Sequence, residues 1–218
     1  MDRALAQQVC DAVTILVAGG VMDYNGHASA RVPAGGFMIN TSASNRRGMT
    51  PEQVCHVDEA GKLLSGDRPP NEVHLHAGIY AARPEVQAVV HGHPKWTTLF
   101  TATGTPIPAV MPQGCLVADL PIYPSSHSVS SVARGREVAQ ALGQAPGILL
   151  SSHGSIFTGA DLVEAVALAI YAEQNAERAY TARILGEAHP IGKAEADEYR
   201  IMLRKPNLFR KCWDYFLP

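Results

Sequence analysis

Residues 71–94 read NEVHLHAGIYAARPEVQAVVHGHP, which lays a helix, a turn and an apolar strand end to end. Asn71 follows two prolines and is a good N-cap for a helix over 72–82, which Pro84 terminates. VQAVVHGH (86–93) is an apolar run of strand length. Its last residues include His91 and His93, at i and i+2, so a strand presents both imidazoles on one face. Gly92 between them leaves room for close approach to the backbone.

Working outward, Leu5, Val9, Val13 and Leu16 recur at helical spacing before Gly19-Gly20 stops the helix. HASARV (27–32) alternates as a strand, and GGFMINTS (35–42) reads as a second strand. VCHVD and GKLL around Glu59-Ala60-Gly61 read as a hairpin. Residues 94–103 open with proline and read as a helix. Residues 105–127 hold prolines 106, 108, 112, 121 and 124 and should be mostly loop with one short strand. Ser128 to Leu142 reads as a helix stopped by Gly143, and GILLSSHG (147–154) as another apolar strand. The longest helix is expected from Asp161 to Ile184, with Asp161 and Glu164 as a capping pair and Gly186 as its stop. The tail from Lys193 is helical at first and ends in KCWDYFLP. Strands and helices are interspersed throughout, so the class is α/β.

The 218 residues suffice for one continuous core, and no Pro/Gly/Ser-rich linker divides them, so residues 1–218 read as a single domain. Residues 187–218 read as a C-terminal tail that contributes to packing or to a neighbouring site. Eighteen basic against twenty acidic residues leave a net charge of −2, which disfavours nucleic acid or an anionic membrane as a partner. No stretch approaches the roughly 20 apolar residues of a membrane span. The charged, periodic N-terminus does not read as a signal peptide. Cys10, Cys55, Cys115 and Cys212 lie far apart with no CxxC pair, as expected of reduced thiols in a cytoplasmic protein. Two oddities need explaining: charged residues make up only 17%, and there are nine histidines.

His153 also ends an apolar run and precedes a glycine. If the strands of His91, His93 and His153 neighbour each other, their ends bring three imidazoles together. Three protein ligands with an open position are the arrangement of a catalytic metal. Glu72 sits in the first turn of its helix, where the dipole favours a carboxylate. His76 lies one turn further along the same face, and His74 points elsewhere.

Asn71-Glu72, HLHAGIYAARPEVQAVVHGHP and ILLSSHGSIFTG together closely resemble the class II aldolase/adducin family, from the first helix to about Gly186. The resemblance implies a single three-layer α/β/α domain around a mixed, largely antiparallel sheet. It implies one divalent metal ion per subunit on His91, His93 and His153, with Glu72 as catalytic acid/base. Zinc is favoured, with Mn, Fe or Co as alternatives. It also implies a homotetramer with sites between subunits. Sugar-phosphate aldolases of the family hold phosphate on three turns. The corresponding stretches here, Gly26-His27-Ala28-Ser29, Thr41-Ser42-Ala43 and Pro70-Asn71-Glu72, have lost an amide, a glycine and a hydroxyl. Gly26-His27-x-Ser29-x-Arg31, the Glu72/His76 pair and AIYAEQNA (169–176) are similar instead to metal-dependent decarboxylases of hydroxylated aromatic or heteroaromatic dicarboxylic acids. That branch also lies near an atypical non-haem iron oxygenase. The similarity implies decarboxylation of a small aromatic acid, with His27, Arg31, His76 and Tyr123 as substrate-binding candidates. Aldol cleavage of a small non-phosphorylated hydroxy-carbonyl compound is the alternative. His127, Tyr199, Trp213 and Tyr215 are the further side chains that loop and tail could bring to a neighbouring pocket.

Overall fold

The computed structural model describes residues 2–217. Helix α1 (Arg3–Ala18) starts where Asp2 accepts the free N–H groups of Ala4 and Leu5 at 3.0 and 3.1 Å. Such a cap contributes about 1 kcal/mol. The sheet has eight strands: β1 (His27–Arg31), β2 (Phe37–Asn40), β3 (Val54–Val57), β4 (Leu63–Ser65), β5 (Ala88–Gly92), β6 (Ile122–Tyr123), β7 (Gly147–Leu150) and β8 (Gly154–Gly159). Their order is β4-β3-β2-β1-β5-β8-β7-β6. Only β6 and β7 pair in parallel; every other pairing is antiparallel. This is the mixed, largely antiparallel sheet that the family resemblance implies.

Helices cover both faces. Helices α1, α5 (Leu162–Leu185) and α7 (Pro206–Phe216) enclose a core with Ala28, Ala30, Met38, Ala88 and Val90. Helices α2 (Val73–Ala82) and α4 (Val132–Leu142) enclose a second core with Phe37, Ile39, Val57, Val89 and Ile156. Adjacent strand residues therefore feed opposite cores, as the two-residue period requires. Helix α3 (Lys95–Ala102) packs its Phe100 against Ala176 and Ala179 of α5. Helices α2 and α4 cross at two glycines. A side chain at Gly78 would collide with the backbone of Gly135, and one at Gly135 with the His74 carbonyl. Glycine inside a helix costs about 1 kcal/mol relative to alanine, and here it lets the two backbones touch.

Four local expectations change. GILLSSHG is not one strand: β7 ends at Leu150, residues 151–153 turn, and β8 starts at Gly154. Ser152, at φ 54°, makes the reversal. Helix α4 starts at Val132 with Ser131 as its cap rather than at Ser128. The residue in the capping position of α2 is Glu72, while Asn71 accepts from the Arg68 guanidinium at 2.8 Å. The aromatic tail is helical: α6 (Lys193–Leu203) is followed by α7, whose Phe209 and Trp213 are buried on the first core. Among the described residues, no helix is long and apolar enough to cross a membrane.

Candidate metal centre

Strand β5 carries His91 on the α2 side, in register with His27 of β1. His93 follows directly after the strand. β5 pairs with β8, setting Gly92 opposite Ser155, so the hairpin turn that precedes β8 brings His153 alongside. A side chain at Gly154 would strike the Gly92 carbonyl and crowd the rings of His91 and His93. Glycine there lets the hairpin close on the two imidazoles.

The three rings form a near-regular triangle. Centroids are 5.0 Å apart for His91–His93, 5.2 Å for His91–His153 and 5.3 Å for His93–His153. Glu72 completes the group, and one ligand atom from each of the four residues lies within 4.8 Å of the others. The donor chemistry fits a divalent ion. His91 Nδ1 donates to the Ser155 carbonyl at 3.0 Å, which leaves Nε2 as a lone pair, buried and without a hydrogen-bond partner. His93 Nδ1 faces Asp23 Oδ1 at 3.2 Å, a carboxylate–imidazole contact of the kind that fixes a ligand's tautomer. Three imidazoles and a carboxylate suit zinc and its neighbours.

Glu72 is clamped from two sides. Its Oε1 accepts the Val129 N–H at 2.7 Å, and its Oε2 lies 3.5 Å from both His27 Nε2 and His91 Nε2. His153 Nε2 is 3.8 Å from Oε1. Burial alone would raise the Glu72 pKa, but the facing His27 and the adjoining His91 ring outweigh it and hold it well below the usual carboxylate range. Burial pushes His27 and His153 down to about 4, so both are neutral at pH 7.

A cavity of about 350 Å³ opens over this cluster, lined by His27, Glu72, His93 and His153 together with Ser42 and Arg46. A larger cavity of about 770 Å³, where the end of α5 meets α6, holds none of these histidines. Of the four expected substrate contacts, only His27 lines the smaller cavity. His76 is fully buried behind it, its Nε2 2.6 Å from His27 Nδ1. The Arg31 guanidinium donates to the carbonyls of Val86 and Tyr80 at 2.7 Å and of Arg83 at 3.2 Å. It thus fastens the end of α2 to β1. The Tyr123 hydroxyl donates to Glu137 Oε2 at 2.6 Å and does not line this cavity within one chain. Within one chain, Trp213 is core, Tyr199 packs beside Ala196, and Tyr215 is exposed.

Two residues escaped the sequence reading. Arg46 is buried and borders the cavity, and its hydrogen bonds go to neutral oxygens of Gly26, Thr41 and Ser44. A charged pair, Arg46-Arg47, in a chain so poor in charge was the available signal. Glu173, inside AIYAEQNA, reaches across from α5 to accept the N–H groups of Trp96 and Thr97 at 2.7 and 3.0 Å. It caps α3 immediately after His93-Pro94. Burial raises its pKa.

Residues 7–180 match the class II aldolase and adducin N-terminal domain family. The chain belongs to that family. It is 31% identical over 206 residues to a 3,4-dihydroxyphthalate decarboxylase of Terrabacter sp. (strain DBF63), covering 88% of this chain and 84% of that one. It is 29% identical over 171 residues to a 5-methylthioribulose-1-phosphate/5-deoxyribulose-1-phosphate aldolase of Rhodospirillum rubrum, covering 78% and 76%. In structure it is similar to an L-fuculose 1-phosphate aldolase of Glaciozyma antarctica, with a TM-score of 0.86 and 24% identity, over 99% of this chain and 88% of that one. Decarboxylases and aldolases are both carbon–carbon lyases, and these relatives support that class of activity.

Proposed function

We propose that the protein is a metal-dependent decarboxylase of a hydroxylated aromatic or heteroaromatic carboxylic acid. The observation that carries this reading is the placement of ionised Glu72 against three imidazoles, in a cavity bordered by the buried cation Arg46. The 31% identity to a dihydroxyphthalate decarboxylase over most of both chains supports the same chemistry. The altered turns at Gly26–Ser29, Thr41–Ala43 and Pro70–Glu72 speak against a phosphorylated sugar.

His91, His93 and His153 would hold a divalent ion, zinc first among the candidates. Bound there, it would supply Lewis acidity toward an oxygen next to the reacting carbon. Glu72 takes the proton of a substrate hydroxyl. Loss of CO₂ leaves the electron pair of the broken bond on the ring carbon, and Glu72 returns its proton to that carbon. His27 keeps the carboxylate oriented from one side and the Val129 N–H from the other. Arg46 sets a positive charge at the wall, favouring an acid in the cavity. The working form is a homo-oligomer, a tetramer, in keeping with the scarcity of charge.

Assay of the zinc-loaded protein with hydroxylated phthalates and pyridine dicarboxylates tests the reading. CO₂ release is expected, and Glu72→Gln should slow it by about 10²–10⁴-fold while metal stays bound. Aldol cleavage without CO₂ release overturns the decarboxylase reading in favour of an aldolase.

A further inference from the structure

Behind the cavity, the α2 side of β1 is polar for its whole length. His27, Ser29 and Arg31 alternate onto it, facing Glu72, His76 and Tyr80, which recur every four residues on one face of α2. The contacts between them form one unbroken chain. Tyr80 Oη is 2.8 Å from Ser29 Oγ, Ser29 Oγ is 2.6 Å from His76 Nδ1, and His76 Nε2 is 2.6 Å from His27 Nδ1. His27 Nε2 then faces Glu72 Oε2 at 3.5 Å. His27, Ser29, His76 and Tyr80 are all at most 3% exposed, so the groups must satisfy one another.

Only two proton arrangements are consistent with neutral imidazoles. In one, every donor points toward the cavity: Tyr80 to Ser29, Ser29 to His76, His76 to His27, and His27 Nε2–H to the Glu72 carboxylate. In the other, His27 Nδ1–H points to His76 and His76 Nδ1–H to Ser29, whose hydroxyl donates to Tyr80 Oη at 2.8 Å or to the Val89 carbonyl at 3.4 Å. The inward arrangement sets the bare Nε2 of His27 against an ionised carboxylate, acceptor against acceptor. The outward arrangement satisfies every member.

Resting on the decarboxylase reading for the step it serves, we propose that Tyr80, Ser29 and His76 are positioning residues that lock His27 as an Nε2–H donor beside Glu72. His27 then orients the carboxylate through a fixed donor, and the chain behind it keeps the tautomer from flipping. Buried polar chains of this kind specify one arrangement when every member is satisfied.

Nitrogen-15 NMR of histidine-labelled, zinc-loaded protein reads the tautomer of His27 directly. Wild-type protein should carry the proton on Nε2 and leave Nδ1 bare. Ser29→Ala should abolish that single tautomer and lower kcat by about 10–100-fold, with KM and zinc affinity within about twofold of wild type. His76→Gln, whose amide N–H can still donate to His27 Nδ1, should restore the tautomer and most of kcat; His76→Leu should lose both. Tyr80→Phe, with its melting temperature followed alongside, separates loss of the chain from loss of the fold. A proton on His27 Nδ1 in the wild type overturns the proposal, as does Ser29→Ala with an unchanged tautomer. If no carboxylic acid is decarboxylated, the NMR result still decides the chain, and the fault lies with the decarboxylase reading.

Discussion

Strands β1 and β5 present opposite chemistry on their two faces. Toward α1 and α5 they show Ala28, Ala30, Ala88 and Val90, packed into a dry core with Leu16 and Ile170. Toward α2 they show Val89 of the second core and, around it, His27, Ser29, Arg31 and His91, which meet α2, the α2–β5 loop or the other histidines of the candidate metal centre. One residue of register separates an all-apolar face from one that carries the chemistry beside Val89 of the second core. Stability and function should therefore respond to different substitutions on the same strands.

The largest effect should come from His91→Ala, which removes the most buried of the three imidazoles. Zinc affinity, measured by competition with a chromophoric chelator, should fall by more than the roughly 10–100-fold typical of losing an outer partner. The melting temperature of the metal-free protein should move little. A large drop in that temperature would mean that the His91 ring itself also holds the fold.

Leu16→Ala tests the other face. It should cost about 2–5 kcal/mol in denaturant unfolding, and the folded fraction should bind zinc as tightly as wild type. Weakened zinc binding in the folded protein would join the two faces. Glu173→Ala probes the one α5 side chain that reaches toward the metal loop. Freeing the start of α3 after His93 should weaken zinc binding by about tenfold, as outer-shell losses do. Unchanged affinity would reduce Glu173 to a helix cap.

The smallest effect is on pH dependence. Burial holds His27 and His153 at about 4 against an ordinary value of 6.5, so between these values the unfolded chain binds more protons than the folded one. The stability of metal-free protein should be full above pH 6.5 and decline as the pH falls toward 4. A melting temperature that stays flat across that window would place protonated imidazoles in the folded site.

Much of this was legible before any coordinates. The periodicity of α1 and the capping pair and glycine stop of α5 mark both helices, and the HxH spacing puts two imidazoles on one side of a strand end. The His153 hairpin was harder. GILLSSHG reads as one apolar strand, but residues 151–153 turn, with Ser152 in a left-handed conformation. Helix α7 was missed although Phe209, Cys212, Trp213 and Phe216 recur at helical spacing, because the stretch reads first as a short aromatic tail. The late start of α4 has a specific cause: residues before Ser131 stay extended so that the Val129 N–H can hold Glu72. The sequence does not reveal that Arg31 meets the carbonyls of Tyr80, Val86 and Arg83. Tyr80 looked like one more apolar helix residue, and only the register of β1 against β5 sets Ser29 beneath its hydroxyl.

The union of metal and carboxylate on a single acid substrate is tested most directly by titrating metal-free protein with zinc while following CO₂ release from a dihydroxyphthalate. Release should rise with added zinc, level off at one equivalent per chain, and stay near background in Glu72→Gln at every zinc level. Full release from metal-free protein, or from Glu72→Gln, would contradict it.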